Sequence, residues 1–86
     1  MNLEIKYPSG NVESRSLDHA RPLSIGRHVS SDIQIDDDDV GQMHGRVAWN
    51  GAAYEVTAAA TDGVEVNGTL VRKSVLAEGD VLRIGS

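Results

Sequence analysis

The chain has 86 residues, a net charge of −5, and neither cysteine nor phenylalanine. That length suits one small domain with a thin core, since a chain of this size buries only about 60–65 % of its unfolded surface. The acidity is local: Asp32 and Asp36 to Asp39 supply five of the 13 acids, and without them 8 acids face 8 bases. Disulfides, thiolate metal sites and cysteine nucleophiles are therefore excluded, and no basic face exists to neutralise nucleic-acid phosphates.

The periodicity from the N-terminus onward is that of strands. Leu3, Ile5 and Tyr7 alternate with polar neighbours, which places them on one face of a sheet. The opening residues lack the apolar stretch of a signal peptide, and no run approaches the ~18–20 apolar residues of a membrane span. A cytoplasmic location is expected, alone or as the cytoplasmic part of a larger protein. Pro8-Ser9-Gly10 then marks a turn. Leu23 with Ile25 and Ile33 with Ile35 form the next alternating pairs, each followed by a polar stretch.

Two hairpins are expected further along. Asn-Gly suits the two φ > 0 positions of a type I′ turn. Asn50-Gly51 should join a strand near Arg46–Trp49 to one near Ala53–Thr57, and Asn67-Gly68 should join Val64–Val66 to Thr69–Val71. Asn67-Gly68-Thr69 also matches a glycosylation sequon, for which the hairpin is the better account. Ala58-Ala59-Ala60 reads as a loop crossing between strands, and Asp62-Gly63 and Glu78-Gly79-Asp80 as turns. Short strands with turns at close intervals imply an antiparallel β-sandwich.

No catalytic arrangement emerges. His19, His28 and His44 are irregularly spaced, no Gly-x-Ser-x-Gly elbow is present, and no Gly-rich phosphate loop with its lysine occurs. Four adjacent aspartates on extended chain point alternately to opposite sides. Such a run makes a solvated turn with at most weak cation binding, because calcium needs six to eight converging oxygens. No metal or cofactor is expected. Gly26-Arg27 follows a strand, where an arginine can fork two hydrogen bonds onto a phosphate or carboxylate. The plainer account is a surface arginine pairing with nearby aspartates, worth about 0–1 kcal/mol. His44 reads as a structural histidine tying two loops together.

Taken in order, Gly26-Arg27, Ser31-Asp32-Ile33 with Ile35, Val40, His44, Val66-Asn67-Gly68, Gly79-Asp80 and Ile84-Gly85 carry a more specific message. From Leu23 to Gly85 the chain resembles the forkhead-associated (FHA) domain, which recognises phosphothreonine in partner proteins. The resemblance implies an all-β, antiparallel sandwich of the FHA (SMAD/FHA-like) type, with about ten short strands and no significant helix. It implies a ligand surface of loops at one end, where Arg27 matches the arginine that grips phosphate. Gly26 and His44 match residues that support the site.

The departures from the family concern the same loops. The family usually carries Ser-Arg or Ser-Asn ahead of the histidine, and its serine hydroxyl bonds the phosphate. Here the run is Gly41-Gln42-Met43-His44. The family's Asn-Gly before the second hairpin reads Asp62-Gly63, and an ionised aspartate only accepts hydrogen bonds. The Gly41 N–H, with Gln42 or Arg46, is the expected substitute for the hydroxyl. Candidate ligand residues are thus Arg27, Gly41, Gln42, Asp62 and Gly63.

The expected function is a protein-interaction module, adaptor or regulatory, with weak or lost phosphothreonine recognition. Its alternatives are a phosphothreonine-peptide binder anchored by Arg27 and a structural or self-associating domain of a larger assembly. The expected partner is a protein or a phosphothreonine peptide, without nucleic acid or direct membrane contact. The domain is expected to fill residues 1–86, to be the N-terminal part of a longer protein, and to lack the family's last strand. That lack predicts an open edge beside the N-terminal strand, able to recruit a second copy.

Overall fold

Leu3 and Ile5 are fully buried, while Asn2, Glu4 and Lys6 between them face out, so a strict two-residue alternation sets the first strand. Each such aliphatic side chain contributes about 1.5–3 kcal/mol by leaving water. In the computed structural model, which describes residues 1–59 and 63–85, the same logic repeats through ten strands. They are β1 (Asn2–Lys6), β2 (Val12–Ser16), β3 (Leu23–Gly26), β4 (Ile33–Gln34), β5 (Gly45–Trp49), β6 (Tyr54–Ala58), β7 (Val64–Val66), β8 (Thr69–Val71), β9 (Lys73–Val75) and β10 (Val81–Arg83). Among the described residues there is no helix, and hence none able to cross a membrane.

The strands form two five-stranded sheets, ordered β2-β1-β10-β7-β8 and β4-β3-β5-β6-β9. Both contribute to one core, Ile5, Leu82 and Val66 from the first sheet meeting Ile25, Val47 and Val56 from the second. The sandwich is mixed rather than antiparallel throughout. β1 lies parallel to β10, with Ile5 opposite Leu82, and β3 lies parallel to β4, with Ile25 opposite Ile33. Parallel neighbours usually need a crossover of a dozen residues or more. β4 is only two residues long, so residues 27–32 suffice to bring the chain back.

The open edge expected beside the N-terminal strand does not exist. β2 flanks β1 on one side and β10 fills the other, so the first sheet ends at β2 and β8. β2 presents Glu13 and Arg15 along that edge, charges of the kind that discourage further pairing.

The two Asn-Gly turns differ. Asn67 and Gly68 both take positive φ, 51° and 85°, and close a two-residue hairpin with Val66 opposite Thr69. Asn50 joins β5 to β6 as expected, but through a longer loop. Its carboxamide oxygen accepts the Ala52 and Ala53 N–H groups, and its own N–H donates to the Ala53 carbonyl. Ala58 ends β6 instead of opening a loop, and Ala60 lies outside the described residues.

Candidate functional site

The loops at the end of β3, before β5 and before β7 meet around Arg27 and His44. Beyond the paired residues Ile25 and Gly45, the antiparallel contact of β3 with β5 continues into the loop. The His44 N–H donates to the Ile25 carbonyl at 2.8 Å, the Arg27 N–H to Gly41 at 2.9 Å, and the His28 N–H to Gln42 at 3.2 Å. Gly26 permits this approach: a Cβ there would sit 2.2 Å from the Gln42 carbonyl oxygen. No other residue fits without moving the loop that faces Arg27.

His44 is buried and joins two loops. Its Nδ1 accepts the Gly41 N–H at 2.9 Å, and its Nε2 lies 2.7 Å from the Gly63 carbonyl oxygen. Nδ1 accepts from an N–H and Nε2 faces a carbonyl oxygen, so the ring is the Nε2–H tautomer, which donates to Gly63. Gly41's amide, expected to stand in for the absent hydroxyl, is bonded inside the loop to His44. Gln42 remains exposed on the rim, and Arg46 lies on β5 opposite Ser24 and Thr57. Asp62 lies outside the described residues, while Gly63 is placed by its bond to His44.

Arg27 is anchored through its backbone, its carbonyl accepting Gln34 Nε2 at 3.3 Å. The side chain is 35 % exposed, and its Nη1 stands 3.6 Å from the Asp38 carboxylate. That separation makes an ion pair rather than a hydrogen bond. Its Nε is shielded from solvent and has no hydrogen-bond partner. Its part-exposed Nη1 faces the rim without a hydrogen bond to that carboxylate. This is the property of an anion receptor.

The acidic run is pinned at both ends by Ile35 and Val40, which are buried in the core. Between them Asp37 organises the turn: its carboxylate accepts the Asp39 N–H at 2.8 Å, and its carbonyl accepts the Val40 N–H at 3.0 Å. Among the described residues no three His, Asp or Glu side chains converge on a metal position. The sequence alone left the four aspartates equivalent. The turn is what selects Asp38 as the one facing Arg27.

Other motif residues serve the scaffold. Asp32 accepts the Ser24 N–H and hydroxyl at 2.9 and 3.1 Å, and these bonds hold its carboxyl below the usual aspartate range. Asn67 Nδ2 donates to Asp80 at 2.9 Å, and Asn67 Oδ1 accepts the Val81 N–H at 3.0 Å. The second hairpin is thereby tied to the turn before β10. Beside the rim, a groove of about 680 Å³ runs over the outer face of the second sheet, from His28, Gln42 and Met43 to Trp49. Met43 is 77 % exposed there, a position that sequence patterning did not single out.

Comparison with known proteins places these features among relatives. The FHA-domain family model matches residues 23–85. An oxoglutarate dehydrogenase inhibitor of Corynebacterium jeikeium is 38 % identical over 76 residues, covering 87 % of this chain and 53 % of its own length. Glycogen accumulation regulator GarA of Mycolicibacterium smegmatis is 37 % identical over 76 residues, with 87 % of this chain and 48 % of the relative covered. The chain thus spans about half the length of these relatives. An FHA domain solved in a study of phosphothreonine-dependent FHA interactions superposes with a TM-score of 0.68, at 28 % identity over 91 % of this chain and 79 % of that one.

Proposed function

The chain belongs to the FHA-domain family, a family of protein-interaction modules, and from that premise we propose that it is a regulatory module that reads a phosphothreonine segment of its partner weakly, through Arg27. The observation that carries this reading is the guanidinium itself. Its residue is held at the loop rim by backbone bonds, and the part-exposed guanidinium faces an anion, the Asp38 carboxylate, at 3.6 Å.

The affinity is set by what surrounds that arginine. Position 41 has no hydroxyl, and its amide is taken by His44. One hydrogen bond to a charged group contributes about 1.5–3 kcal/mol, so its absence weakens phosphate binding about 10–100-fold. The module acts by binding rather than by catalysis, needs no cofactor, and works in the cytoplasm. Regulation of a metabolic enzyme, as the name of the oxoglutarate dehydrogenase inhibitor suggests, is the accompanying proposal for its partner.

A second reading is docking without phosphate, favoured by the exposed Met43 beside the groove on the second sheet. Calorimetric titration with matched phosphothreonine and threonine peptides separates the two. The proposal expects binding of the phosphorylated form alone, weakened about tenfold or more in Arg27→Ala. Equal binding of both forms, unchanged by that substitution, would establish the second reading instead.

A further inference from the structure

We propose that Asp38 is a built-in counter-ion of Arg27, so that the module favours phosphothreonine segments carrying a lysine or arginine beside the phosphothreonine. This inference rests on the reading of Arg27 as the phosphate anchor.

Both partners of the pair are set in place by their backbones. Arg27 is fixed by its N–H on Gly41 and its carbonyl on Gln34. Asp38 sits at the tip of a turn closed by the Asp37 N–H on Ile35 at 3.0 Å, the Asp39 N–H on the Asp37 carboxylate, and the Val40 N–H on Asp37. Its side chain is fully exposed and reaches Nη1 of Arg27 at 3.6 Å. Asp37 spends its own carboxylate within the turn, and the carboxylate that faces Arg27 at 3.6 Å is that of Asp38.

An arriving phosphate carries about −1.5 to −2 charges and must meet the guanidinium where this carboxylate now faces it. The two anions then lie within the screening length of about 8 Å and repel. Because Asp38 is exposed, its pair with Arg27 is easily exchanged. The exchange is least costly when the ligand brings a cation of its own. Phosphate then takes Arg27, a neighbouring lysine or arginine takes Asp38, and one ion pair becomes two. A phosphothreonine flanked by neutral residues leaves Asp38 facing the phosphate without compensation.

The test titrates four peptides, a phosphothreonine with lysine neighbours, the same with glutamine neighbours, and the unphosphorylated version of each. Each is measured against the wild-type chain, Asp38→Asn and Arg27→Ala, with thermal melting to verify that every variant is folded. Wild-type protein should bind the lysine-flanked phosphopeptide about 2–5-fold tighter than the glutamine-flanked one. Asp38→Asn should bind the glutamine-flanked phosphopeptide about 2–5-fold tighter than wild type does and lose the preference. Phosphate-dependent, Arg27-dependent binding without a flank preference, or with a preference that survives in Asp38→Asn, overturns the inference and leaves the anchor standing. Binding indifferent to phosphate in every peptide overturns both.

Discussion

Gly26 and His44 hold the rim in place, and Asp32 ties the strand behind it through Ser24. A Cβ at position 26 would meet a backbone oxygen at 2.2 Å, and a carbonyl cannot rotate aside as a side-chain tip can. Gly26→Ala is expected to cost about 1–3 kcal/mol, read in urea denaturation, and to weaken peptide binding by displacing the loop over Arg27. His44→Ala leaves the Gly41 N–H and the Gly63 carbonyl without their partner. At about 1–3 kcal/mol for each unsatisfied buried group, a loss of about 2–6 kcal/mol is expected in the same measurement. Asp32 gives the pH dependence. Its carboxyl is held low by the Ser24 N–H and hydroxyl, so its contribution is complete above the ordinary value of about 3.9 and fades as pH falls through the lower folded value. Asp32→Asn should flatten the decline in melting temperature in that acid range. An unchanged acid limb would show that the Ser24 bonds add nothing to stability.

At the level of elements, identical dipeptides adopt different turns because their surroundings differ. Asn67-Gly68 takes the two positive φ angles of a tight hairpin and fastens it to Asp80 and Val81. Asn50 instead stays out of that region and caps a longer loop with its side chain. Asn67→Ala should therefore destabilise the fold by about 1–3 kcal/mol, since it removes both hydrogen bonds and strains a positive φ. Asn50→Ala should cost less, because Gly51 keeps the positive φ of that loop, and parallel thermal melts compare the two. The buried strands were legible from alternation: Leu3 with Ile5, Tyr54 with Val56 and Val64 with Val66 each point inward as expected. β2 and β9 were not. They are edge strands with mostly exposed residues, so they lack the buried face that writes period two into a sequence, which the edge strand β4 keeps at Ile33.

Across the whole molecule, the loop rim and an aromatic cluster occupy opposite ends of β5. At the far end His19 stacks on Trp49 with centroids 3.7 Å apart and planes 10° from parallel, and Tyr54 meets the Trp49 ring edge-on at 5.1 Å. Trp49 is the chain's single tryptophan, so its emission reports on that end alone. His19→Ala should change Trp49 fluorescence and lower the melting temperature by a few degrees, as expected for losing about 1 kcal/mol of aromatic contact. Peptide affinity at Arg27 should be unaffected, and a change there would mean that the two ends are coupled through β5. The sequence by itself determined the all-β class, the family, the second hairpin and the cluster of residues around Arg27 and His44, because alternation, turn chemistry and motif order are local properties of the chain. Only the tertiary structure decided that β1 closes against β10, that Gly41's amide belongs to His44, and that Asp38 faces Arg27. Each of these depends on which distant backbone comes to lie alongside, and no local pattern encodes that.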